Sequence, residues 1–180
     1  MQQYDIMLKF TVFAIVTAAL IIQSWKSLRK LQSHGFFRFF AFELILVLIL
    51  LNVDYWFHKP FSALQIISWL LLLSSLFMAV QGFYLLHEVG KPKHGIEDTT
   101  ILVSRGIYKY IRHPLYSSLL LLIWGIFLKN PSIVPSLLAI VACIFLAMMA
   151  KIEEKENLQR FGQDYLDYMK TTKMFIPFLI

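Results

Sequence analysis

Between Gly106 and Tyr116 the chain reads GIYKYIRHPLY, which sets the cations of Lys109 and Arg112 and the imidazole of His113 among the phenols of Tyr108, Tyr110 and Tyr116. Proline lacks an N–H and holds φ near the helical value, so it suits the first position of a helix and disfavours the α conformation at the residue before it. Pro114 is therefore predicted to open a helix, with His113 just outside, and the run Leu119 to Leu128 that follows is almost pure hydrocarbon. The first turn of such a helix presents backbone amides and the positive end of its dipole. Cations, phenols and a helix start together make a site for an anionic group at a membrane surface.

The elements that position this site are membrane helices. Of the 180 residues 58% are hydrophobic and 16% charged, against roughly 25% charged in an ordinary globular domain. Leu8 to Trp25, Phe36 to Phe57 and Phe61 to Leu86 are apolar stretches that each meet the roughly 18 to 20 residues needed to cross ~30 Å of hydrocarbon. Leu115 to Leu128 and Ile133 to Ala150 follow, parted by the turn formers Lys129-Asn130-Pro131-Ser132, with Pro135 tolerated in a first helical turn. From Pro114 the fourth helix has only ~22 Å of length. It is expected either to cross a locally thinned bilayer or to form with the fifth a hairpin that does not fully span. The fold class predicted is all-α: a polytopic membrane helical bundle of about five transmembrane helices. The chain reads as one domain, with residues 1–86 as a three-helix anchor region and 87–180 as the region carrying the chemistry.

If the loops alternate, fourteen of the 17 Lys and Arg residues share one face: Lys26 to Arg38, Lys91 to Arg112, and Lys151 to Lys173. The other face has Lys9, Lys59 and Lys129. The positive-inside rule places the fourteen in the cytoplasm and the N-terminus outside. The net charge of +6 is then accounted for by topology and anionic lipid, so no nucleic-acid partner is expected. The first helix is expected to stay as an anchor, since its one leading basic residue, Lys9, and its long apolar core make a poor signal peptide. The single cysteine, Cys143, excludes an internal disulfide and a multi-cysteine metal site, and no metal is expected. Glu43 lies inside the second helix, where a carboxylate is costly. It is expected to face the bundle interior or to pair with a Lys or Arg of its leaflet, whereas Asn52 and Asp54 are expected at the interface.

Past Ala150 the character changes. Glu153, Glu154 and Glu156 are followed by Leu158, Phe161, Tyr165 and Tyr168 at spacings of three and four, which gives one apolar-aromatic stripe on a cytoplasmic amphipathic helix, bent at Gly162.

Leu102-Val103, Gly106, Tyr108, Arg112-His113-Pro114 and Tyr116, then a helical hairpin, Glu153-Glu154, Phe161-Gly162 with Tyr165 and Tyr168, and Ile176-Pro177 stand in that order. This pattern resembles the isoprenylcysteine carboxyl methyltransferase family, and the related phospholipid N-methyltransferases share a looser version. It covers about Leu102 to Phe178. The resemblance implies an integral-membrane enzyme that uses S-adenosylmethionine, held between the loop before the fourth helix and the C-terminal segment. Leu102, Val103, Gly106, Tyr108, Arg112, His113, Pro114, Tyr116, Glu153 and Glu154 would line that cofactor site, with Arg112, His113 and Glu154 as the catalytic residues. The residue chemistry agrees. Arg112, His113 and the helix start suit the cofactor carboxylate, Glu153 and Glu154 suit its ammonium or ribose, and Tyr108 and Tyr116 can pack on adenine.

The chain departs from the pattern at Thr100, where members often carry histidine, at Met149, where many carry arginine, and at Ser118, where glycine is common. The loop Gly90 to Gly95 has no counterpart in the prenylcysteine enzymes. These departures bear on the acceptor more than on the cofactor. An amphiphile drawn from the bilayer is expected, a prenylcysteine-like carboxylate first and an ethanolamine phospholipid as the alternative, with no obligate protein partner. Sterol-type membrane reductases that use NADPH end in a similar element, but they are longer and carry asparagine where this chain has Leu115. A non-catalytic binding module would show erosion of the Arg-His-Pro and Glu-Glu elements, and both are intact.

Overall fold

The computed structural model describes residues 2–29, 33–93 and 98–177. Lys30, His94, Gly95 and Phe178, which figure in the charge count, the unmatched loop and the end of the motif, lie outside the described residues. Among the described residues six α-helices follow in order: α1 (Gln2–Leu28), α2 (His34–Asn52), α3 (Ala63–Glu88), α4 (Pro114–Phe127), α5 (Ile133–Phe161) and α6 (Gln163–Thr171). Single 3-10 turns occur at Val53–Tyr55 and Gly106–Lys109. Among the described residues there is no strand, and Ile111 and Lys173 form an isolated parallel bridge. The protein is all-α and polytopic. Helices α1, α2, α3 and α5 are long and apolar enough to cross a membrane, and α4 is a shorter apolar helix of 14 residues.

Local chemistry sets several of these boundaries. Ser33 caps α2 by accepting a hydrogen bond from the amide of Phe36, the contact that serine supplies at a helix start. Helix α4 begins at Pro114, as the proline predicts. Helix α5 differs from expectation, because it does not end with the hydrocarbon at Ala150 but runs on through Glu153 and Glu154 to Phe161. From Lys151 to Phe161 there is no glycine or proline, and Lys, Glu, Gln, Leu and Arg are good helix formers. The polarity change marks a new environment for the same helix. Gly162 then stops it at φ +56°. A Cβ there would meet nothing within 4 Å, so the position needs glycine for its backbone alone. The expected stripe is thus shared, with Leu158 and Phe161 closing α5 and the buried Tyr165 and Tyr168 on α6.

The chain forms two compact units, residues 1–68 with 123–149 and residues 69–122 with 150–180. In the first, Phe37 and Phe40 of α2 pack on Phe145 of α5 with ring centroids 6.0 and 5.8 Å away. Ser68 of α3 donates to the Gly125 carbonyl at 2.6 Å. Glu43 accepts a 2.9 Å hydrogen bond from Thr17 of α1, a neutral partner in place of the expected Lys or Arg. Asn52 is fully buried and donates to the Leu48 carbonyl, whereas Asp54 is exposed and pairs with Lys9. The second unit holds the motif residues.

Candidate functional site

The segment ahead of α4 is shaped by backbone requirements. Gly106 sits at φ +57°, a region that L side chains rarely adopt, and opens the 3-10 turn. That turn buries Tyr108, whose hydroxyl donates to the Gly82 carbonyl of α3 at 3.4 Å. Lys109 and Tyr110 point outward, while Ile111 and His113 are buried and Arg112 is half-buried. Of the cluster read from the sequence, only Tyr108, Arg112, His113 and Tyr116 therefore turn toward the site.

A C-terminal strap fixes this segment. The amides of Arg112 and His113 donate to the carbonyls of Lys173 and Met174 at 2.8 and 3.1 Å, and the amide of Lys173 donates back to Tyr110 at 3.1 Å. Ser117 adds a 2.7 Å hydrogen bond from its hydroxyl to the Phe175 carbonyl. Tyr168 of α6 donates to the Tyr108 carbonyl at 2.6 Å.

The charged groups meet across these elements. Arg112 Nε donates to Oε1 of Glu154 at 2.7 Å, and its Nη1 donates to the carbonyls of Thr172 at 2.6 Å and Met169 at 3.4 Å. The guanidinium thus neutralises a carboxylate and also satisfies carbonyls at the C-terminal end of α6, where a cation is favoured. Glu153 and Glu154 are adjacent on a helix and so diverge by about 100°, which lets Glu153 accept from the Tyr116 hydroxyl instead. His113 stands between the two carboxylates, with Nδ1 3.9 Å from Glu153 and Nε2 3.5 Å from Glu154. Its ring stacks on Tyr116 at 5.3 Å. Among the described residues Nε2, which is buried, has no hydrogen-bond partner. Burial raises the phenol pKa of Tyr108, Tyr165 and Tyr168 well above the usual tyrosine value, so all three stay neutral.

Two small cavities flank this cluster. One, of about 30 Å³, is lined by Leu102, Val103, Tyr108, Arg112 and Glu153 together with Thr99 and Asn157. The other, of about 40 Å³, is lined by Tyr108, Arg112, His113, Leu115, Tyr116 and Glu153. The structure brings Leu102, Val103, Tyr108, Arg112, His113, Tyr116, Glu153 and Glu154 together. Gly106 and Pro114 set backbone geometry beside them.

Asn157, Thr99, Thr172 and Phe175 were not legible as site residues. Asn157 lies one turn beyond Glu153 on the same face, a signal that becomes readable only once α5 is known to continue. Thr172 contributes a carbonyl and Phe175 a ring 6.1 Å from His113, contacts that no residue pattern announces.

The model of one family, phospholipid methyltransferase, matches residues 64–164, more than half of the chain. The chain belongs to the phospholipid methyltransferase family. It is a multi-pass membrane protein, and the matched range includes both the Arg-His-Pro element and the glutamate pair. Among curated relatives, methanethiol S-methyltransferase from Pseudomonas deceptionensis is 29% identical over 49% of this chain and 31% of its own length. Methanethiol S-methyltransferase 1 from Bradyrhizobium diazoefficiens is 28% identical over 61% of this chain and 39% of its own length. Protein-S-isoprenylcysteine O-methyltransferase from Tribolium castaneum is 35% identical over 44% of this chain and 28% of its own length. The match therefore spans less than two fifths of each of these relatives. No solved structure matches.

Proposed function

We propose that this chain is a methyltransferase that uses S-adenosylmethionine at a membrane interface and acts on an amphiphilic acceptor, with a prenylcysteine-like carboxylate favoured. One observation carries the reading: Arg112, His113 and Tyr116 at the start of α4 meet Glu153 and Glu154 of α5 in a single buried cluster. The donor set suits the cofactor, which when bound supplies an electrophilic methyl group on a sulfonium. Arg112 and the first turn of α4 would hold its carboxylate, Glu153 and Glu154 its ammonium or ribose, and Leu102, Val103 and Tyr108 its apolar parts. Nε2 of His113, buried 3.5 Å from Glu154 and without a hydrogen-bond partner among the described residues, supports a polar ligand here.

The two cavities are far smaller than the ~300 Å³ at which ligand sites begin. Binding therefore requires the Arg112–Glu154 and Tyr116–Glu153 contacts to part. Loss of the sulfonium charge during methyl transfer calls for positioning and exclusion of water more than for proton chemistry. Arg112, His113 and Glu154 act as the catalytic residues by orienting the reacting groups in this closed space.

The acceptor reading draws on an open groove of about 490 Å³ lined by Ala79, Val80, Phe83 and Tyr84 of α3, with His87, Glu88 and Leu115 beside them. Leu115 also lines the cavity at His113, so a tail in the groove would leave its polar head near the cluster. The asymmetry of Lys and Arg between the two faces supports an orientation with the N-terminus outside and the cluster on the cytoplasmic side, with residues 1–86 as anchor and 87–180 as the cofactor-binding region. A second reading, an acceptor that must lose a proton, such as a phospholipid amine or a small thiol, is favoured by Nε2 of His113 as an available base and by the thiol acceptor in two relatives' names.

Titration of the purified protein in detergent with S-adenosylhomocysteine and with NADPH tests the reading. Saturable binding of the first alone is expected. Binding of NADPH alone would make the chain a reductase, and binding of neither would leave it a non-catalytic module.

A further inference from the structure

The cavity of about 30 Å³ beside Arg112 has two unlike walls. Leu86, Leu102, Val103 and Phe161 give it apolar surface, while Glu153 and Asn157 bring polar groups from consecutive turns of α5. Other polar side chains around it are committed to the protein. Arg112 serves Glu154 and two carbonyls, Tyr108 donates to the Gly82 carbonyl, and Tyr168 donates to the Tyr108 carbonyl. Asn157 is half-buried, with its carboxamide beside the phenol of Tyr165, a residue only 2% exposed. The amide therefore faces the cavity and not open solvent.

A carboxamide carries a donor and an acceptor side by side in one plane. Adenine presents the complementary pair, an exocyclic amine beside a ring nitrogen, and asparagine meets that edge with two hydrogen bonds. The apolar wall suits the faces of the same ring. Spacing along α5 fits as well. Four residues advance a helix by about 6 Å, which sets Asn157 beyond Glu153 by roughly the reach from a ribose hydroxyl to the far edge of its purine. The cavity has room for little more than a water. It grows when Glu153 leaves Tyr116, the same parting that cofactor binding requires.

We propose that Asn157 reads the edge of the purine in the methyl donor and makes the site specific for a 6-aminopurine. The proposal rests on the S-adenosylmethionine reading and adds to it the residue that selects the base. In this role Oδ1 of Asn157 accepts from the amine and Nδ2 donates to the neighbouring ring nitrogen, while Glu153 takes the ribose. Asn157 carries no charge, so it selects the base without disturbing the balance between Arg112 and the two glutamates.

The test measures binding, by calorimetry on the full chain in a non-ionic detergent, of S-adenosylhomocysteine and of its analogue lacking the 6-amino group. The parent should bind the first about tenfold more tightly, because loss of the amine leaves the carboxamide oxygen unserved. In Asn157→Leu the two ligands should bind about equally, and Asn157→Ala gives the same comparison if leucine does not fold. A variant that weakens both ligands alike and keeps the preference would show a merely structural role for Asn157 and overturn the proposal. Equal affinity for the two ligands in the parent overturns it too, with no variant needed, and leaves the cofactor reading standing. Binding of neither ligand by the parent removes the cofactor reading itself, and the proposal with it.

Discussion

Arg112 and Glu154 are 42 residues apart, yet Nε of one lies 2.7 Å from Oε1 of the other, with side chains 9% and 12% exposed. The same guanidinium reaches the carbonyls of Met169 and Thr172. One side chain thus joins the start of α4, the polar end of α5 and the end of α6.

Loss of Arg112 should therefore be structural as well as functional. Arg112→Ala leaves a buried carboxylate and two carbonyls unserved and should cost about 3 to 5 kcal/mol in a denaturant titration in detergent. Arg112→Lys should recover little of this, because an ammonium cannot span a carboxylate and two carbonyls as a planar fork does. Full recovery by lysine would show that only the charge matters.

Two glycines should respond for different reasons. At Gly90 an added Cβ would lie 2.5 Å from the Leu86 carbonyl oxygen and 2.6 Å from Thr99 Cγ2. Gly90→Ala should therefore displace the base of the loop, where the amides of Thr100 and Ile101 donate to Gly90, and cost roughly 1 to 3 kcal/mol. Gly162→Ala meets no described atom and should cost only its backbone strain, which at φ +56° and ψ −126° lies outside the left-handed helical well and is about 1 to 3 kcal/mol. Thermal unfolding of both variants measures the difference.

Stability should fall on the alkaline side. Burial raises the pKa of Tyr108, Tyr165 and Tyr168 in the folded protein, while unfolded phenols ionise near ~10. The unfolded chain then loses protons first, so the stabilisation is whole below about pH 10 and declines above it. Unfolding midpoints from pH 8 to 11 should show this, with a shallower decline in Tyr168→Phe. An equally steep decline in that variant would place the effect elsewhere.

Much of this was legible in the sequence, and the remainder was not for physical reasons. Proline chemistry marked the start of α4 at Pro114, and hydrocarbon runs marked the membrane helices. The motif residues Arg112, His113, Glu153 and Glu154 also lie together. The extent of α5 was misread because apolar periodicity reports environment, whereas the continuity of this helix rests on backbone propensity and the first breaker, Gly162. The strap through Lys173 and Met174 works through backbone hydrogen bonds, which side-chain identity does not encode. Glu43 found a hydroxyl from another helix, a pairing set by packing.

The base reading of His113 separates acceptors. With an amine or thiol acceptor, His113→Gln should lower kcat by about 10² or more while S-adenosylhomocysteine still binds. With a carboxylate acceptor the two should fall together. Single-turnover rates beside binding isotherms distinguish these outcomes.

Orientation is open to direct labelling. In a Cys143→Ser background, Ser104→Cys, exposed in the loop before α4, should react with an impermeant maleimide only from the cytoplasmic side. Labelling from the outer face would reverse the topology and the side of the cluster.

The central claim, transfer of a methyl group to an amphiphile by the Arg112–Glu154 cluster, is tested most directly with methyl-labelled S-adenosylmethionine. The purified chain would be offered total membrane lipid in one reaction and a farnesylated cysteine analogue in another. Label should enter one of these organic-soluble acceptors, and the transfer should be lost in a folded Glu154→Gln variant. Label in neither acceptor, with rapid transfer to a soluble metabolite, or transfer undiminished in Glu154→Gln, would contradict the account.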